Sequence, residues 1–158
     1  MKKLSWNEVE SAAEKLALKI EESKFNPDCL IGITSGGLFP LALLATRIKG
    51  KSIFTVTAKK AKEVNKENVA IAYLPNVNLS GKAVLLVDEI AQSGVTLNAV
   101  ANIIKKECEA ENLRTATLAI NGDVCECRPD YYVLVEEGDW IVFPWENGEE
   151  FAPYDLKK

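Results

Sequence analysis

Two short runs, CLIGI at 29–33 and AVLLV at 83–87, are apolar at every position rather than at every second one. A strand with one wet face alternates, because successive side chains point to opposite sides of the sheet. A strand that does not alternate needs cover on both faces, which a parallel sheet with crossover helices above and below supplies. Each run leads toward a segment of helical character: LFPLALLATRI after the first and VTLNAVANIIKKE after the second. In the latter, Val95, Ala99 or Val100, Ile103 and Ile104 recur at helical spacing, and Lys105 and Lys106 stand where the negative end of a helix dipole favours cations. Pro40 falls in the first turn of the former, where a missing N–H is tolerated. The pattern predicts an α/β fold with a mostly parallel central sheet flanked by helices.

The remaining elements fit that frame. Ser5 and Glu8 form a capping box, Leu4 and Val9 a hydrophobic staple, and Val9, Ala13, Leu16 and Ile20 the buried stripe of an opening helix that Asn26-Pro27-Asp28 ends. SIFTVT (52–57), 69–73, 113–120 and 131–135 read as further strands, and 75–81 as turn. Between two of these strands, KKAKEVNKEN (59–68) is charged and has no apolar period, so it is a mobile loop or hairpin tip, with a solvated short helix as the alternative. At 158 residues, with no repeat and no linker, the chain reads as a single domain over 1–158.

Composition mainly excludes. The 23 acids outnumber the 19 bases, so no basic footprint for nucleic acid is expected. No apolar run is long enough to span a bilayer, and MKKLSWNEVE lacks a signal-peptide core, so no membrane partner and a cytoplasmic location are expected. The chain has no histidine, which removes Ser-His-Asp and Cys-His catalysis and histidine-bound zinc. Cys29, Cys108, Cys125 and Cys127 read as reduced, non-ligating residues, although Cys125 and Cys127 form a C-x-C.

The chemistry concentrates after the central strand, in DEIAQSGVT (88–96). Open parallel sheets bind ligands beyond the carboxyl ends of their strands. Here the loop opens a helix whose first N–H groups have no intrahelical partner, Gly94 permits close approach or positive φ, and Ser93 and Thr96 add hydroxyls. That combination is a phosphate cradle. Asp88 and Glu89 are wrong for phosphate but suit ribose hydroxyls or Mg²⁺, so the whole fits a sugar phosphate with a vicinal diol. An ordinary loop with a capping hydroxyl fits the local residues equally well.

Beyond local chemistry, VLLVDEIAQSGVT resembles the signature of type I phosphoribosyltransferases: an apolar strand, two acids, three residues, Ser or Thr, Gly, any residue, Thr. IGITSGGLFPLALLATRI is similar to that family's pyrophosphate loop and following helix, and GDWIVFPWE to the carboxyl-terminal hood of the bacterial xanthine-guanine enzymes. The resemblance implies a Mg²⁺-dependent transfer of the 5-phosphoribosyl group from 5-phosphoribosyl-1-pyrophosphate to a nucleobase, most simply a 6-oxopurine in purine salvage. It implies that Asp88 and Glu89 hold the ribose hydroxyls, with a Mg²⁺ contact direct or through water, and that Gln92 lies near the reacting base nitrogen. The loop Ala91, Gln92, Ser93, Gly94, Val95 and Thr96 would hold the 5-phosphate. Thr34, Ser35, Gly36 and Gly37 would present amides to pyrophosphate, with a strained or cis peptide. Asn121, Trp140 and Ile141 would meet the base, residues about 58–69 would form a flap, and about 121–158 the hood. Trp145 reads as structural, and plain core is the alternative for Trp140. The resemblance also implies a homodimer or higher homo-oligomer.

Three positions depart from the xanthine-guanine pattern. Ser35 replaces an arginine of the pyrophosphate loop, Gln92 an aspartate beside the attacking nitrogen, and Asn121 a lysine for the 6-oxo group. A hydroxyl cannot replace a guanidinium charge, and a carboxamide can hydrogen-bond but not take a proton. The alternative reading is therefore a non-catalytic or regulatory domain that binds the phosphoribosyl compound or a nucleotide, or a transferase acting on another base.

Overall fold

The computed structural model describes residues 1–63, 66–138 and 140–146, the side chains of 60–63 and 66–68 excepted. In chain order the elements are β1 (Lys2–Lys3), α1 (Trp6–Glu22), β2 (Cys29–Thr34), α2 (Leu38–Arg47), β3 (Ser52–Glu63), β4 (Lys66–Tyr73), β5 (Ala83–Ala91), α3 (Val95–Glu107), β6 (Asn112–Asn121), β7 (Leu134–Glu136) and β8 (Ile141–Val142). Six strands form one sheet in the order β4-β3-β2-β5-β6-β7, and β1 and β8 form a separate pair. All neighbours in the large sheet run parallel except β3 and β4.

The central strand shows why alternation is missing from the sequence. Leu85 and Val87 of β5 pack into the core shared with α1 and α2, while Val84 and Leu86 pack into the core shared with α3. All four are fully buried, and each large apolar side chain so placed contributes roughly 1.5–3 kcal/mol. The opening helix is set by its cap: the Glu8 N–H donates to Ser5 Oγ, and the Ser5 N–H donates to the Glu8 carboxylate at 2.8 Å. Leu4 and Val9 are both buried in the core that this helix covers.

Three boundaries differ from the sequence expectation. The central strand does not stop at Val87 but continues to Ala91, because β6 goes on pairing with it after its pairing with β2 has stopped: Asp88 faces Thr117, Ile90 faces Ala119 and Ala91 faces Ile120. Of the readings for the charged 59–68 stretch, the hairpin agrees with the structure, but its paired arms reach further into the charged residues than a tip alone would. β3 and β4 pair antiparallel out to Glu63 and Lys66, so this part of the expected flap is a hairpin, with 64 and 65 outside the described residues. The strand expected at 131–135 is Leu134–Glu136, preceded by one isolated bridge from Tyr131 to Ala116. Of the expected hood, 139 and 147–158 lie outside the described residues.

Candidate functional site

The site is made where the sheet splits. β2 pairs with β5 as far as Gly32 and Val87, and beyond that point the two strands part. Gly37, the N-cap of α2, sits in the fork: a Cβ there would come within 2.7 Å of the Val87 carbonyl. The crevice between the two strand ends therefore receives the loop 34–37 from one side and the acids Asp88 and Glu89 from the other.

Gln92, Ser93 and Gly94 connect β5 to α3 in three residues. Gly94 has φ of 79°, the left-handed region where a Cβ costs energy, and it also lies against the Cys127 carbonyl, so a Cβ would overlap that oxygen. The loop is fastened from the far side by the Cys127 N–H, which donates to the Ser93 carbonyl at 3.0 Å. Ser93 Oγ accepts the Val95 N–H at 3.4 Å, while the Thr96 and Leu97 amides, in the first turn, have no intrahelical acceptor. Asp88, Ile90, Ala91, Gln92, Ser93, Gly94, Thr96, Leu97 and Ala58 line one cavity of about 190 Å³. That is smaller than the roughly 300–1,000 Å³ of sites enclosing a drug-sized ligand. Its size suits a small polar fragment rather than a whole nucleotide.

The two acids are alike in charge and different in support. The Glu89 N–H donates to Asp88 Oδ1 at 2.8 Å, and Glu89 Oε2 accepts the Trp145 indole N–H at 2.7 Å. Burial pushes the Asp88 carboxyl up to about 8, against the pull of the Glu89 N–H, with the Glu89 charge adding a smaller push. Burial also raises Glu89 to about 7, partly offset by the indole bond, with Glu146 adding to the rise. No salt bridge to either acid occurs among the described residues. Such a pair gains from a diol donor or a divalent cation. Mg²⁺ is bound by one or two carboxylates together with substrate phosphates, and these oxygens fit that pattern. Among the described residues no group of three metal-ligating side chains exists, so a cation here would be completed by its substrate.

On the other side of the fork the Thr34–Ser35 peptide is cis, and Thr34 Oγ1 lies 2.7 Å from Thr57 Oγ1 of β3. Of the four residues expected to offer amides, Gly37 donates its own to the Ile33 carbonyl at 2.9 Å. The Ser35 and Gly36 amides have no such partner among the described residues. A Cβ at Gly36 would overlap the Glu89 carboxylate, so a side chain there would displace that acid. The loop and the acid pair are thus in contact.

The base-side residues are placed by the sheet edge and the small strand pair. Asn121 ends β6, and its carboxamide oxygen accepts the Asp123 N–H at 3.1 Å, which leaves its NH₂ as the outward donor. Trp140 is 57% exposed and is therefore not core. The Lys2 N–H donates to the Trp140 carbonyl at 2.8 Å and the Leu4 N–H to Val142 at 2.9 Å. In a parallel ladder that register turns the N–H and C=O of the intervening Ile141 away from β1.

Two contributors escaped the sequence reading. Trp145 is structural, as expected, yet it also touches Glu89 directly. Cys127 braces the phosphate-type loop through its main chain, which no side-chain motif could announce.

With this geometry in place, comparison with known proteins is specific. A family model described as a phosphoribosyl transferase domain matches residues 4–152. The xanthine-guanine phosphoribosyltransferase of Cereibacter sphaeroides is 23% identical over 159 aligned positions, covering 96% of this chain and 90% of that one. The crystal structure of a purine phosphoribosyltransferase from Pyrococcus horikoshii superposes with a TM-score of 0.80 at 34% identity, covering 92% and 95% of the two chains. A Neisseria gonorrhoeae protein solved with bound ppGpp matches at 0.74 and 25% identity, covering 94% and 91%.

Proposed function

The chain belongs to the phosphoribosyltransferase family and is a pentosyl-transferring enzyme, and on that premise we propose that it moves the 5-phosphoribosyl group of 5-phosphoribosyl-1-pyrophosphate onto a 6-oxopurine. The observation that carries the reading is the adjacency of three parts: a cavity beside the start of α3 with Asp88 in its lining, Glu89 next to Asp88 in the chain, and the 34–37 loop against Glu89. A substrate with a 5-phosphate, a diol and a 1-pyrophosphate has its groups in that order.

In this proposal the Thr96 and Leu97 amides and the Ser93 and Thr96 hydroxyls bind the monoester. Asp88 and Glu89 accept hydrogen bonds from the ribose 2- and 3-hydroxyls. Mg²⁺, carried by the pyrophosphate substrate, would be held by the same carboxylates and would supply charge neutralisation for the leaving group. The Ser35 and Gly36 amides bind pyrophosphate as the C1–O bond breaks and the C1–N bond forms. Gln92 hydrogen-bonds near the reacting nitrogen but cannot accept its proton, which must pass to the departing pyrophosphate. Trp140 stacks on the base, Ile141 offers main-chain groups to its edge, and the Asn121 NH₂ donates to a 6-oxo group. The β3–β4 hairpin closes over C1 and excludes water.

A second reading, a domain that binds a nucleotide or the phosphoribosyl compound without turnover, is favoured by Ser35 and Gln92 and by the ppGpp held by the Neisseria protein. One assay separates the two. The protein is incubated with phosphoribosyl pyrophosphate, Mg²⁺ and guanine, xanthine, hypoxanthine, adenine or uracil, and pyrophosphate release is followed. Release with a 6-oxopurine is the expected result. Tight nucleotide binding with no release from any base overturns the transferase reading.

A further inference from the structure

The indole of Trp145 is held more firmly than a filler of the core needs to be. Residues Phe143 to Glu146 form a turn with Pro144 at its second position, closed by the Glu146 N–H on the Phe143 carbonyl at 3.0 Å. The turn is closed again by the Phe143 N–H on the Glu146 carboxylate at 2.8 Å. The ring is then stacked between Phe39, at 4.3 Å and 5° between planes, and Phe143, at 4.7 Å and 11°. Trp6 leans on it at 5.7 Å. All this fixes one polar atom, Nε1, at 2.7 Å from Glu89 Oε2.

Glu89 itself is bounded on its other side by Gly36, where any side chain would collide with its carboxylate. One oxygen is committed to the indole, and the other has no hydrogen-bond partner among the described residues. We propose that Trp145 is a positioning residue for the transfer reaction: it holds the Glu89 carboxylate in one rotamer, with its second oxygen presented to the ribose hydroxyls or the substrate-borne cation. This rests on the phosphoribosyl reading of the site. An unheld glutamate has three rotatable bonds to order when substrate arrives, and the indole bond orders them beforehand. A hydrogen bond to a charged group is strong enough that its loss is worth about tenfold in binding.

The test is a double-mutant cycle with Trp145→Phe, which keeps a ring in the stack but removes the N–H, and Glu89→Ala, which removes the carboxylate. Trp145→Phe is expected to raise KM for phosphoribosyl pyrophosphate about tenfold, with a much smaller change in kcat and a melting temperature close to the wild type. Combined with Glu89→Ala it should add nothing further, because the group it positions is gone. In parallel, the indole N–H resonance of Trp145 in the ligand-free protein should move on Glu89→Ala. If the two substitutions multiply independently, or Trp145→Phe leaves KM unchanged, the positioning role is overturned while the transferase reading stands. If the wild-type protein neither binds nor turns over phosphoribosyl pyrophosphate, the functional reading fails and this inference fails with it.

Discussion

Asp88 and Glu89 are acids that hold protons near neutrality, and substrate binding should release those protons. With carboxyls raised to about 8 and about 7, the free protein at pH 7 retains roughly 0.9 proton on the first and roughly 0.5 on the second. Holding a cation favours both acids as carboxylates, so saturation with Mg²⁺ and phosphoribosyl pyrophosphate should release up to about 1.4 protons from the pair at pH 7. At pH 9 the pair is already ionised and the release falls to about 0.1. Calorimetric titration in two buffers of different ionisation enthalpy reads the net release at each pH, and its difference from an Asp88→Asn, Glu89→Gln variant gives the share of the pair, since the ligand's phosphates titrate as well. A share near zero at pH 7, or one equal at both pH values, means that the acids do not meet the ligand as carboxylates.

In the ligand-free protein the same carboxyls make stability fall with rising pH. Their folded-state pKa values lie above the unfolded ones, so their contribution is complete below about pH 4 and is lost as pH climbs through 7 to 8; melting curves from pH 5 to 8 should slope downward, and an Asp88→Asn, Glu89→Gln variant should flatten them. Gly94→Ala combines a left-handed residue, at about 1–2 kcal/mol, with overlap on the Cys127 carbonyl, for roughly 2–4 kcal/mol and about 4–16 °C in melting temperature. A melting temperature within 1 °C or so of wild type would mean that the loop does not need glycine. On the proposed placement of Gln92, Gln92→Asp gives the reacting nitrogen a proton acceptor and should raise turnover of guanine, xanthine or hypoxanthine about tenfold or more. An unchanged steady-state rate removes Gln92 from the chemistry.

What the sequence made legible follows burial. β2 and the first part of β5 announce themselves because both faces are covered, and α3 begins and ends where its apolar period does. Asp88 and Glu89 broke the apolar run and read as loop, yet they remain in strand because β6 supplies hydrogen bonds that composition does not report. The β3–β4 hairpin was anticipated as a tip, but the reach of its arms was obscured for a related reason. Past Thr57, β3 pairs only with β4, so no buried sheet neighbour imposes a pattern on its residues. β1 and β8 are two residues each, too short for any period, and their pairing joins positions almost a chain length apart. In the site, motif residues could be named singly, but contacts between motifs could not. The abutment of Gly36 on Glu89, the indole bond from Trp145 and the Cys127 brace on Ser93 all depend on the tertiary fold.

The most direct measurement is a crystal structure of the protein with Mg²⁺ and phosphoribosyl pyrophosphate, or with guanosine monophosphate. The 5-phosphate should lie against the amides of Thr96 and Leu97 and the hydroxyls of Ser93 and Thr96, with the ribose hydroxyls on Asp88 and Glu89. A monoester bound anywhere else, or a sugar turned away from both acids, would contradict the assignment of this turn to phosphoribosyl binding.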